Sequence, residues 1–217
     1  MTSPSIMVID PSLNHPEVSS FNQMTNLSTI SFNYHLPAMS DKSSMMNSIE
    51  KACGIIILGS AASVHDNDDW QHKLREVLDK AIKLEIPILG ICFGHQFLAH
   101  HFNGKVKPLW KNEEKKGVRE VKILPNRFLG QSSKGILIYA HKEGVEKCPS
   151  NFDIIGSSHM INVEAIEHHT KPIWGFQTHI EASWSFAKRQ GIEKEAYLKT
   201  RDFGLKILSN FFKYIEL

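Results

Sequence analysis

The segment Gly90-Ile91-Cys92-Phe93-Gly94-His95-Gln96 sits where an apolar run passes directly into a helical pattern, with a thiol flanked by two glycines. A nucleophile held in a sharp strand-to-helix turn leaves no room for a β-carbon two residues before or after it, and Gly90 and Gly94 meet that demand. Free N–H groups and the dipole at the start of a helix favour a negatively charged sulfur, which makes Cys92 the candidate nucleophile. A buried cysteine at a junction that uses glycine only for close packing would account for the same residues. The elbow therefore needs companions.

A thiol nucleophile needs a base to take its proton and an acid to orient that base. Gly175-Phe176-Gln177-Thr178-His179-Ile180-Glu181 offers both at the end of a second apolar run. Side chains alternate along an extended chain, so His179 and Glu181 are expected to point to one side. With 12 histidines in the chain a His-x-Glu pair alone is weak evidence; its position after an apolar strand, together with the elbow, gives it weight. Leu58-Gly59-Ser60-Ala61-Ala62-Ser63 is the third piece. Attack on an amide creates an oxyanion, and fixed N–H donors are worth on the order of 100-fold in rate. Phe93, directly after the cysteine, and Ser60, in this loop, are the candidate donors.

These residues need a scaffold that brings distant strand ends together. Ile6-Met7-Val8-Ile9, Gly54 to Gly59 and Ile86 to Ile91 are apolar without alternation, as expected of strands covered on both faces. Ser28 to Leu36 has residues suited to a further strand. Ser40 to Lys51, Asp68 to Leu84 and Phe93 to Phe102 read as helices, the last stopped by Asn103-Gly104. Strand and helix in alternation predict an α/β fold with a mostly parallel sheet flanked by helices. After Gly104 the rhythm changes. Val118 to Leu124, Gly135 to Ala140, Phe152 to Ser158, Asn162 to Glu167 and Pro172 to Thr178 read as short strands that add an antiparallel portion in the C-terminal half, and Ile192 to Ile215 as one or two helices.

The 217 residues fit one large domain spanning 1–217, with 41% hydrophobic and 22% charged residues, which excludes disorder. A net charge of +2 supplies no field for a phosphate backbone, so nucleic-acid binding is not expected. Cys53, Cys92 and Cys148 are far apart and odd in number, which suits a reduced cytoplasmic interior. No stretch approaches the roughly 20 apolar residues that span a bilayer, so no membrane association is expected. His100-His101 and His168-His169 are neighbours whose side chains diverge, not metal pairs. With no phosphate-binding loop and no metal-ligand cluster, catalysis is expected to need no cofactor.

The elbow, the Gly-Ser loop and the His-x-Glu segment, in that chain order, resemble the class I glutamine amidotransferase domain over nearly the whole chain. Ile138-Tyr139-Ala140-His141-Lys142-Glu143-Gly144-Val145 resembles the Ser-His-Gly-Asp-x-Val segment of the glutaminase half of guanosine monophosphate synthases. The resemblance implies a Cys92, His179, Glu181 triad that hydrolyses the side-chain amide of glutamine through a thioester. It implies substrate contacts at Gly59, Gln96 and His141, with Gln96 at the α-amino acid end of glutamine. It also implies that the ammonia goes to an accepting synthetase subunit. The chain departs from the family pattern at Ser60-Ala61, where Gly-Pro is usual, at Ile180, usually proline, and at Ala140, usually serine. Two alternatives stand beside this reading: a γ-glutamyl peptidase or hydrolase with the same triad, acting on a γ-glutamyl compound, and an inactive binding or regulatory subunit.

Overall fold

The structure is a computed structural model, and it describes residues 4–40 and 43–216. The first half alternates strand and helix, with α1 an element the sequence pattern does not predict: β1 (Ser5–Ile9), α1 (Val18–Thr25), β2 (Ser31–His35), α2 (Ser43–Ser48), β3 (Ala52–Ile57), α3 (Asp69–Lys83), β4 (Ile88–Ile91) and α4 (Phe93–His101). Residues 41 and 42, within the helix expected from Ser40 to Lys51, lie outside the described residues. The second half runs β5 (Lys105–Pro108), β6 (Lys115–Ile123), β7 (Ser133–His141), β8 (Glu143–Lys147), β9 (Phe152–Ser157), β10 (Ala165–His168) and β11 (Ile173–Phe176). It closes with α5 (Trp184–Arg189) and α6 (Lys194–Glu216). The segment Ile192 to Ile215 is thus one long helix, α6, and the short α5 before it lies outside the helices the sequence pattern predicts.

Nine strands form one sheet in the order β2-β1-β3-β4-β11-β10-β9-β6-β7, and β5 pairs with β8 apart from it. Pairing is parallel from β2 to β11 and antiparallel from β11 to β7. Successive strand residues face opposite sides, which is why the apolar runs do not alternate with polar residues: both faces are covered. Met7, Ile9, Ile55 and Ile57 join a core with α2, α3 and α4. Ile6, Val8, Ile56 and Leu58 join a second core with α1 and α6, where Phe211 and Phe212 are buried.

The antiparallel limb does not extend outward. Ile138 of β7, the last strand in the order, bridges to His179 just past the end of β11, and the His179 N–H donates to the Ile138 carbonyl at 2.8 Å. The far edge of the sheet therefore curls back onto its middle. Among the described residues, no helix is long and apolar enough to cross a membrane.

Candidate active site

Cys92 caps the N-terminus of α4 with φ +51° and ψ −101°, a conformation rarely open to a residue with a side chain. The glycines on either side make it possible. A β-carbon on Gly94 would lie 2.2 Å from the Ile57 carbonyl oxygen, and one on Gly90 would lie 2.5 Å from the backbone of Gly94. The turn is held by the Cys92 N–H to the Phe176 carbonyl at 2.8 Å and the Gly94 N–H to the Leu58 carbonyl at 3.2 Å. The elbow is thus tied to both strands that flank β4.

His179 and Glu181 meet, but not by strand alternation. β11 ends at Phe176, and residues 177–181 form a turn in which the Ile180 N–H donates to the Thr178 carbonyl. The Gln177 N–H still donates to the Glu164 carbonyl beside β10, and the chain then turns so that His179 bridges to β7. His179 Nδ1 lies 2.9 Å from Glu181 Oε1, and both side chains are buried. The imidazole packs against Phe186 with ring centroids 4.3 Å apart and planes tilted by 38°. Its Cε1 and the Cys92 Cβ lie 2.8 and 3.5 Å from the point a Gly59 β-carbon would occupy, so glycine in this loop lets the imidazole and the thiol converge. Burial pushes the ring toward its neutral form, but the Glu181 carboxylate and the Cys92 sulfur outweigh it and hold the His179 pKa well above the usual histidine value.

The loop after β3 is braced at Ser60, whose hydroxyl donates to the Pro11 carbonyl at 2.7 Å and accepts from the Ala62 N–H at 3.1 Å. The hydroxyl is committed, so what Ser60 can offer the site is its backbone N–H and not its side chain. Gln96 lines the cavity beside Cys92, with its Nε2 donating to the Glu143 carbonyl at 2.7 Å and to Gln177 Oε1 at 3.2 Å. Its own oxygen remains to accept. His141 lines the same cavity, but Nδ1 engages the Glu143 carbonyl and Nε2 engages Arg119. Burial and the Arg119 charge lower its pKa to about 3, so the ring is neutral.

Sequence reasoning missed a polar network behind the sulfur. Arg119 and Glu164 form a fully buried ion pair, with Nη2 to Oε2 at 2.7 Å, and the guanidinium also stacks on Tyr139. Gln177 donates to Cys92 Sγ at 3.7 Å. Its place two residues before His179 was the one available signal; Arg119 and Glu164 are 45 residues apart and carried none. Among the described residues no group of three or more His, Cys, Asp or Glu is placed to hold a metal ion.

An α/β sheet with a cysteine elbow at one strand end and a histidine–glutamate pair beyond the next defines a protein of the amidotransferase type. Residues 15–198 match the family Glutamine amidotransferase class-I, and the chain belongs to that family. It is 32% identical over 167 residues to a glutamine-hydrolysing GMP synthase subunit of Methanopyrus kandleri, covering 76% of each chain. It is 41% identical over 101 residues to the corresponding GMP synthase subunit of Methanothermobacter thermautotrophicus, covering 46% of this chain and about half, 53%, of that relative. The crystal structure of a Thermoplasma acidophilum protein assigned to the same GMP synthase subunit type shares the fold, with TM-score 0.75, 20% identity and coverage of 100% of this chain and 96% of the other.

Proposed function

We propose that the protein hydrolyses the side-chain amide of glutamine to glutamate and ammonia, and that it delivers the ammonia to a separate synthetase subunit. The observation that carries this reading is the buried His179 ring, oriented by Glu181 and converging with Cys92 over Gly59. An imidazolium next to a sulfur favours the thiolate, the form that attacks carbon. The sulfur adds to the carboxamide carbon, and the oxyanion takes hydrogen bonds from the N–H groups of Phe93 and Ser60, neither of which has an acceptor among the described residues. His179 gives its proton to the departing nitrogen. Ammonia leaves a thioester; the now neutral imidazole draws a proton from water, which attacks the thioester, releases glutamate and restores the thiol.

The far end of the substrate is a zwitterion. Gln96 Oε1 and the Glu143 carboxylate, held by Ser63 Oγ at 3.0 and 3.1 Å, suit its ammonium, and Lys142 suits its carboxylate. The synthetase partner is inferred from the relatives, which are glutamine-hydrolysing subunits of GMP synthases. The test is release of ammonia and glutamate from glutamine. Cys92→Ala is expected to lower turnover at least about 1,000-fold. Full activity in that variant overturns the reading; failure of the folded wild type to be labelled at Cys92 by an electrophilic glutamine analogue favours a binding role instead.

A further inference from the structure

An oxyanion beside Cys92 is served by the Ser60 N–H only if that donor points at it, and a hydrogen bond weakens steeply as its donor turns away. Residues 59–63 belong to no strand or helix, and Ser60 is half-buried, so burial alone does not fix the aim. At residue 60 the tether is the hydroxyl, which donates to the Pro11 carbonyl at 2.7 Å, 49 positions earlier in the chain. The same oxygen accepts from the Ala62 N–H and so also shapes the loop that follows.

A tether is only as firm as its anchor. Pro11 follows Asp10, which is fully buried directly after β1 and accepts from the Ser12 N–H at 3.0 Å, the Glu17 N–H at 2.7 Å and the Tyr34 hydroxyl. The first of these bonds closes a turn around Pro11, whose ring already fixes its φ, so the two together set where the Pro11 carbonyl points. The second ties down the far end of the 11–17 segment. A buried carboxylate is costly unless its oxygens are bonded, and two of its three donors here are backbone groups of the segment it shapes. Asp10 lines neither cavity beside Cys92, so its reach to the site runs through Pro11 and Ser60.

We propose that Asp10 is a positioning residue for the oxyanion: its carboxylate holds the Pro11 carbonyl, that carbonyl holds the Ser60 hydroxyl, and the hydroxyl aims the Ser60 N–H. The inference rests on the reading that Cys92 attacks an amide. Stabilisation of this kind exists in the transition state and not in bound glutamine, so losing it lowers kcat and leaves KM in place. It also has no part in alkylation of the sulfur by iodoacetamide, a displacement at saturated carbon that builds no charge on a carbonyl oxygen.

The test measures kcat and KM for glutamine beside the rate of Cys92 alkylation by iodoacetamide. Ser60→Ala, which cuts the tether, is expected to lower kcat at least about tenfold, with KM and alkylation unchanged. Asp10→Asn is expected to act in the same way. Tyr34→Phe, which deletes one donor to Asp10 and keeps the ring, acts in the same direction by less, and carries the test should Asp10→Asn not fold. In a Ser60→Ala background neither substitution should lower kcat further, because the link they act through is gone. Parallel losses of kcat and of alkylation in Ser60→Ala overturn the assignment, as does an unchanged kcat. Independent, multiplying losses in the double variants overturn the part given to Asp10. Failure of the wild type to release ammonia from glutamine, with Cys92 unlabelled by the electrophilic glutamine analogue, overturns instead the reading beneath the proposal.

Discussion

Gln177 donates its side-chain amide to the sulfur of Cys92 across 3.7 Å, and Gln96 sets the direction of that amide by donating to its oxygen at 3.2 Å. Gln96 is itself held by the Glu143 carbonyl. The sulfur thus receives a donor whose orientation is decided two residues away from it in space, and a charged acceptor benefits more from such a donor than a neutral one.

Removing that donor should weaken the nucleophile without unfolding the protein. Gln177→Met is expected to slow alkylation of Cys92 by iodoacetamide at pH 7 by about tenfold, the worth of one hydrogen bond to a charged group. The same variant should keep its near-UV spectrum. Unchanged alkylation would show that the amide is a packing group only.

The two glycine contacts should separate activity from stability. Gly59→Ala puts a methyl group 2.8 Å from the His179 ring, a side chain that can swing, and is expected to lower turnover about 100-fold with a small change in Tm. Gly94→Ala drives a methyl group into the Ile57 carbonyl, which cannot move without the strand, and is expected to cost about 3 kcal/mol or more in urea unfolding. Equal Tm losses in the two variants would contradict the distinction.

Acid should destabilise the fold through buried neutral histidines. Burial lowers the pKa of His95 to about 3, and burial with Arg119 does the same for His141. Between that value and the ordinary 6.5 the unfolded chain binds more protons than the native one, so stability is lost as pH falls below 6.5. The slope approaches about 1.4 kcal/mol per pH unit for each such group. His179 acts with the opposite sign: its raised pKa adds stability that is fully present below 6.5 and disappears as pH climbs through its native value. Denaturant midpoints measured from pH 7.5 to 5 should fall, and the fall should be shallower in His141→Asn.

Arg119 and Glu164 are both fully buried, so breaking the pair strands a charge. Arg119→Met is expected to cost about 3–5 kcal/mol, and adding Glu164→Gln should recover much of it. Urea titration of the single and double variants reads the difference. Additive losses would mean that the pair is not coupled.

The parallel half was legible because strands covered on both faces leave unbroken apolar runs, as in residues 54–58, and because Trp70, Leu74, Val77 and Ala81 repeat at helical spacing. α1 escaped because Val-Ser-Ser-Phe-Asn-Gln-Met-Thr is poor in strong helix formers and buries only Ser20 and Met24. β5 and β8 escaped because half or more of the residues in each are charged and their pairing depends on residues about 40 positions apart, Val106 and Val145. Cys92, His179 and Glu181 stood out by spacing and neighbours. The role of α5 in walling the site did not, since Phe186 and Arg189 matter through where the chain returns and not through any local pattern.

The bridge between Ile138 and His179 makes strand register a working part of the site. A side chain on β7 faces the opposite way from its neighbours, so sliding the β6–β7 hairpin by one position would offer His179 the backbone of Leu137 or Tyr139 in the wrong sense. The His179 backbone, and with it the placement of the imidazole, would lose its anchor although no residue near it had changed. Substitutions in the loop at 124–132, far from the thiol, can therefore silence it by letting a hairpin slip.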